Sequence, residues 1–130
     1  MMNIKNQKLF QVKAGDIVWV DYGNCADASH DGDATVQDNR QKGVRPAIIL
    51  SNAACCESSP VVISCPLTGK IHKKLPVHLL LNSSALRKPS FILPEQLCAI
   101  NRYQIRGKLG ELSDSEMSMV KTAVQHQLFG

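Results

Sequence analysis

Arg45 is the residue best suited to chemistry on a phosphate. It stands between Gly43 and Pro46, where a long polar stretch gives way to an apolar run. A glycine lets a ligand come close to the backbone, and a proline stiffens the chain beside it. A guanidinium offers planar, paired donors to phosphate oxygens. Because it stays charged at neutral pH, it suits the stabilisation of negative charge better than the movement of protons. A surface arginine beside a turn has the same local sequence. Thr68 ends the segment Pro66-Leu67-Thr68-Gly69, and a hydroxyl there can bond a phosphate oxygen. A strand-ending threonine that satisfies its own turn is the commoner case. Lys70, His72, Lys73 and Lys74 follow at once. They form either a basic loop suited to phosphate contacts or a solvated charge run. Histidine titrates near neutral pH, which makes His72 a candidate base. Trp19 and Tyr22 have rings on which bases can stack. Trp19 alternates with Val18 and Val20 in an apolar run and is expected in the core, which leaves Tyr22, at a loop edge, as the better platform. His78, inside a strand-like run, is expected to be structural.

The elements that must position these residues are mostly strands. Gly15-Asp16 is a turn signal, and Ile17 to Tyr22 is a β-branched and aromatic run. Residues 45–51 read as a second strand, with Pro46 near its start, where a missing donor is tolerated. Residues 60–67 and 75–81 read as the third and fourth, bounded by Ser, Asn and Gly. Residues 91–93 and 97–100 form a fifth, interrupted or bent near Pro94, and 105–109 a short sixth. The stretch from Gly23 to Gly43 is rich in Asp, Asn, Gly and Ser and has no period. Loops of that length in a small domain are usually functional or mobile. The last element differs. Ser113 and Glu116 have the spacing of a capping box, flanked by Leu112 and Met117 as a hydrophobic staple. Met117, Val120, Val124 and Leu128 then recur at helical spacing, which predicts an amphipathic helix over 114–128 with its stripe on the sheet. Successive strands followed by one helix imply a mainly β fold with one or two helices, a small antiparallel barrel or curled sheet under helical cover.

Size and composition set the outer limits. The chain has 130 residues, a net charge of +4 and a pI near 8.9. That is the length of one domain with a real core, expected to span 1–130 with an N-terminal extension at 1–13. The mild excess of positive charge favours anionic partners such as nucleic acid. The five cysteines, Cys25, Cys55, Cys56, Cys65 and Cys98, are odd in number and lack a C-x-x-C pair. Neither a disulfide framework nor a zinc site is expected, and no other metal or cofactor. The polar N-terminus lacks a signal-peptide core, and no apolar run reaches transmembrane length. A cytoplasmic protein without membrane attachment is the expectation.

The order of motifs is recognisable. Gly-Asp-Ile-Val-Trp-Val-Asp at 15–21, Gln-x-Gly-x-Arg-Pro-Ala at 41–47, Pro-Leu-Thr at 66–68, Glu-Gln-Leu at 95–97 and Leu-Ser-Asp-x-Glu-Met at 112–117 occur in one sequence. Together they resemble the MazF/PemK toxins of type II toxin–antitoxin systems, from Gly15 to about Leu128. The resemblance implies an SH3-like barrel of the CcdB/PemK kind that forms a homodimer. It implies metal-independent, sequence-specific cleavage of single-stranded messenger RNA, leaving a 2′,3′-cyclic phosphate and a 5′-hydroxyl. It also implies neutralisation by an acidic MazE/PemI-like antitoxin. Arg45 and Thr68 match the family's catalytic positions. Gln96 matches a position near the RNA groove, where an amide can read exposed base edges. Arg40 and Gln41, at the end of the long loop, join Lys70, His72, Lys73, Lys74 and Tyr22 as expected RNA contacts.

The departures are informative. Many relatives have Glu where this chain has Arg40, and Ile-Arg-Thr where it has Leu97-Cys98-Ala99. The first loses a carboxylate that could move a proton; the second loses a basic and a hydroxyl side chain. They keep open a non-catalytic relative that binds RNA or antitoxin. A CcdB-like gyrase poison would carry its chemistry at the end of the last helix, with a Trp-Gly-Ile-type ending. This chain reads Gln127-Leu128-Phe129-Gly130 there.

Overall fold

The computed structural model describes residues 10–23, 41–70 and 78–130. β1 (Asp16–Asp21) and β2 (Val44–Ile49) are the two β-branched runs of the first half, and they pair antiparallel, with Val18 opposite Ala47 and Val20 opposite Arg45. A short helix, α1 (Ala53–Ser58), follows; the side chain of Asn52 caps it by accepting the Cys55 N–H. Then come β3 (Val61–Thr68), β4 (Leu79–Leu81), β5 (Ser90–Ile92), β6 (Cys98–Asn101), β7 (Ile105–Glu111) and the terminal helix α2 (Asp114–Phe129). Single 3-10 turns at Pro94–Gln96 and Arg102–Gln104 separate β5 from β6 and β6 from β7.

The seven strands form one antiparallel sheet in the order β4-β5-β3-β2-β1-β7, with β6 added on β3. β3 is long enough to serve two partners. Its first half pairs with β6, from Val61 opposite Asn101 to Ser64 opposite Cys98, and its last residues pair with β5, Leu67 opposite Ile92 and Thr68 opposite Phe91. The expected fifth strand is therefore two strands. Pro94 has no N–H to donate and begins the 3-10 turn that redirects the chain.

The middle of this sheet is buried on both faces. One face gathers Val18, Val20, Ala47, Ile49, Val62, Ile100 and Ile105. The other gathers Ile17, Ile48, Cys65, Leu67, Leu81 and Ile92 beneath Met117 and Val120 of α2. Double-sided burial explains why the central strands read as apolar runs and not as alternations. α2 begins as its sequence predicts: Ser113 Oγ accepts the Glu116 N–H at 3.2 Å, and Glu116 Oε1 accepts the Ser113 N–H at 2.8 Å. Its apolar stripe is only partly a core face. Met117 and Val120 are buried, but Leu128 is 54% exposed, because the last turn carries it past the sheet. Among the described residues no helix is long and apolar enough to cross a membrane.

Trp19 corrects an expectation. It is 39% exposed, although Val18 and Val20 on either side are fully buried. It stands opposite Pro46 and Gly107, between two register shifts in the β1–β7 pairing. Its cross-strand neighbours are a small glycine and a proline, which leave much of the ring uncovered among the described residues. Its face of β1 is the one away from Arg45.

The start of the sheet is tied to its end by charge. Glu111 meets Lys108 at 2.8 Å and Lys13 at 3.0 Å. These two ammonium groups, Lys108 first, hold its carboxyl down from 4.5 to about 2. A lowered folded-state value means that the ion pairs stabilise the fold above the ordinary carboxylate range and lose that effect as pH falls through about 2. A carboxyl NMR titration at low salt is expected to find Glu111 as a low-titrating group that moves back up in high salt, since surface pairs are screened. An ordinary midpoint at low salt would show that the pairs do not form in solution.

Candidate active site

The neck of the long polar loop is held by backbone bonds. The Tyr22 N–H donates to Gly43 O at 2.9 Å, and the Gly43 N–H donates to Gly23 O at 2.7 Å. Gly23 and Gly43 have φ of 77° and 74°, a left-handed conformation that glycine adopts without strain. The neck delivers the chain into β2 two residues later, at Arg45.

Arg45 is exposed, and its Nε donates to Lys42 O at 3.1 Å. That bond steers the guanidinium, and among the described residues neither terminal nitrogen has a hydrogen-bond partner. The β2–β3 ladder runs from Ile49 opposite Ser64 to Ala47 opposite Pro66 and ends there; Arg45 and Thr68 each lie two residues beyond its last pair, toward the same end of the sheet. Both residues lie on the sheet face that carries Ala47 and Ser64. Two residues separated in sequence, both of types suited to phosphate chemistry, thus lie near the ends of neighbouring strands on one face at one end of the sheet.

Thr68 is engaged in its own turn. Its Oγ1 donates to Lys70 O at 2.9 Å and accepts the Lys70 N–H at 3.2 Å. The hydroxyl is half-buried and fixed in place at the strand end. To bond a phosphate oxygen it must redirect its proton from the Lys70 carbonyl, a rotation about one bond. Lys70 itself is exposed beside it.

Gln41 and Gln96 come together. The Gln41 N–H donates to Gln96 Oε1 at 3.3 Å, joining the loop neck to the Pro94–Gln96 turn. Glu95 on the same turn points elsewhere, its Oε2 lying 2.6 Å from Nε2 of the buried His78. His78 is therefore structural, as expected. It anchors the turn that presents Gln96.

Tyr22 is not an open stacking platform. Its ring packs against the core beside Val20, and its hydroxyl lies 2.9 Å from Ser64 Oγ. Burial pushes the phenol well above its ordinary range, the Ser64 bond only partly offsetting it. Tyr22 forms part of the floor under the face that carries Arg45. The sequence placed it at a loop edge; what turned it inward was Ser64, a partner 42 residues away. Cys98, exposed on β6, lies 3.9 Å from Ser64 Oγ and belongs to the same floor. Arg40, His72, Lys73 and Lys74 fall outside the described residues. No group of three or more His, Cys, Asp or Glu among the described residues is placed to hold a metal ion.

Comparison with known proteins places the chain in a family and matches its fold. A family model described as PemK-like, MazF-like toxin of type II toxin–antitoxin systems matches residues 13–128. Endoribonuclease MazF of Staphylococcus saprophyticus is 38% identical over 96 residues, which cover 72% of this chain and 80% of that protein. Among solved structures, MazF of Deinococcus radiodurans superposes with a TM-score of 0.70 at 21% identity, covering 92% of this chain and 97% of the other. A mycobacterial endoribonuclease in complex with its cognate antitoxin gives 0.66 at 18% identity, covering 91% and 93%. At these identities the two structures establish a shared fold.

Proposed function

Because the chain belongs to the PemK-like, MazF-like toxins of type II toxin–antitoxin systems, we propose that it is an endoribonuclease that cuts single-stranded messenger RNA at a preferred sequence, without a metal, and that a cognate acidic antitoxin neutralises it. The observation that carries this reading is that Arg45 and Thr68 lie on one face at one end of β2 and β3, each two residues beyond the last β2–β3 pair. In such a reaction the RNA supplies its own nucleophile. The 2′-oxygen attacks the adjacent phosphorus, the bond to the 5′-oxygen breaks, and a cyclic phosphate and a 5′-hydroxyl are left. Protein groups must stabilise the charged phosphorane and assist two proton movements. Arg45 is assigned the phosphorane oxygens, and proton delivery to the leaving oxygen as a bolder second role. Thr68 is assigned a hydrogen bond to the same phosphate, and Gln41 and Gln96 the reading of base edges. We further propose a homodimer working in the cytoplasm as a single domain, with its antitoxin lying across the same face. Homologues solved with a cognate antitoxin support that partner class.

The test is cleavage of a long single-stranded RNA by the purified chain, stripped of antitoxin, in excess chelator, with cut sites and end groups determined. Discrete cuts ending in cyclic phosphate are expected. Thr68→Ala should slow them by about tenfold, the worth of one good hydrogen bond, and Thr68→Ser should restore the rate. Intact RNA from the stripped protein would favour the second reading, a non-catalytic relative that holds RNA or antitoxin. The Thr68 hydroxyl bonded into its own turn, and Cys98 and Ala99 in place of a basic and a hydroxyl residue, are what that reading has in its favour.

A further inference from the structure

Lys88 lies in the bend before β5, remote in sequence from Arg45 and Thr68. The fold brings it to the same strand end. β5 pairs with the end of β3, Phe91 opposite Thr68, and the bend is steadied by Ser90 Oγ donating to Lys88 O at 3.3 Å. Its side chain crosses the backbone beside Thr68. A Cβ at Gly69 would lie 3.1 Å from Lys88 Cε and 3.2 Å from its Nζ, so the ammonium rests in the space that the missing side chain leaves. Lys88 is exposed, and no carboxylate among the described residues pairs with it. Lys13 and Lys108 differ from it, both being engaged by Glu111.

A compact, unpaired ammonium held over a glycine, next to a hydroxyl turn and a second exposed lysine, has the features of a phosphate seat. Backbone without a side chain allows close approach, and the point charge suits any phosphate regardless of base. We propose that Lys88, over Gly69 and beside Lys70, binds a backbone phosphate of the RNA strand next to the one engaged by Arg45 and Thr68. This rests on the reading of the Arg45 face as an RNA site, and it adds a subsite on the β5 side that helps fix the direction of the strand.

The probe is mixed-sequence 2′-O-methyl RNA, which lacks the attacking hydroxyl and is bound without being cut. Affinity is measured against salt concentration for the wild type, Lys88→Ala, Lys88→Arg and Gly69→Ala. Each phosphate contact to a single strand contributes about 0.7 to the slope of log K against log salt. Lys88→Ala is expected to weaken binding several-fold for all sequences and flatten the slope by about that amount, and Lys88→Arg to restore the slope. Gly69→Ala keeps the charge but displaces the ammonium. It is expected to shift binding in the same direction, with no further loss in the double variant. An unchanged slope in Lys88→Ala overturns the proposal, as does a change in which sequences bind, or full additivity of Gly69→Ala. A wild type that binds the probe but leaves unmodified RNA whole refutes the nuclease reading and leaves the subsite standing. A wild type that binds no RNA removes both.

Discussion

Arg45→Ala lowers single-turnover cleavage of single-stranded RNA by about 10²–10³-fold, the loss that follows removal of one donor to a developing anionic centre. The expectation rests on position. Arg45 is exposed, holds one bond to the backbone through Nε, and shares a sheet face with Thr68, each two residues beyond the last β2–β3 pair. Its removal leaves no cavity, so stability should change by less than about 0.5 kcal/mol, and the loss can be read as chemistry. Because the interaction is strongest when the phosphorane carries its charge, kcat should fall far more than KM rises. Arg45→Lys should recover only part of the rate, since an ammonium cannot offer two parallel donors to two oxygens. The measurement is rapid-quench cleavage of a short RNA containing one mapped site, with circular dichroism of each variant alongside. A loss below about tenfold would be the size of one ordinary hydrogen bond. It would demote Arg45 to a surface arginine beside a turn.

What could be read from sequence here was what depends on neighbours in the chain. The runs at β1, β2 and β3, the Ser113–Glu116 capping box and the break at Pro94 are all set by residues a few positions apart, and the structure has them where the sequence places them. The alignment of Arg45 with Thr68 was half legible. Each lies near a strand end, but only the register of β2 on β3 brings both to one face at one end of the sheet. The errors share a cause. Trp19 was expected inside because its neighbours alternate with it, yet two register shifts and a facing glycine leave its ring uncovered. Tyr22 was expected outside because a loop follows it, yet Ser64 on a distant strand draws its hydroxyl in. Leu128 continues a periodic stripe, yet α2 outruns the sheet that the stripe packs on. α1 was not anticipated; its signal was only Asn52 as a cap before a six-residue segment. Lys88 and Arg102 carried no signal at all, because each is defined by what the fold brings to it.

Arg102 is the case with the largest expected effect on stability. It is 1% exposed, at the far end of β3 from Thr68, and no carboxylate among the described residues pairs with it. Its guanidinium donates instead to backbone carbonyls: Nε to Ser59 O at 2.7 Å, Nη1 to Phe10 O at 2.8 Å and Nη2 to Cys55 O at 3.2 Å. Two of these belong to the C-terminal end of α1, where the helix dipole favours a cation; Cys55 O also accepts the Ser59 N–H at 2.9 Å. The third belongs to the segment leading into β1. One side chain thus fastens three pieces of chain that meet nowhere else in sequence. Arg102→Ala removes charge-assisted bonds, takes the guanidinium donor from the Ser59 and Phe10 carbonyls and opens a void where the stem had packed, which together should cost about 3–5 kcal/mol. Arg102→Met refills the stem but leaves the carbonyls unpaired, and should cost roughly half as much. For a chain of this size the alanine variant should lose more than about 10 °C in Tm. Urea unfolding followed by circular dichroism checks both. The active face lies about 20 Å away along β3 by the rise of a strand, so cleavage measured well below the lowered Tm should remain close to wild type. A cost under about 1 kcal/mol for Arg102→Ala would mean that water or a rearranged chain satisfies those carbonyls as well as the guanidinium does. The three-way clasp would then be no determinant of the fold.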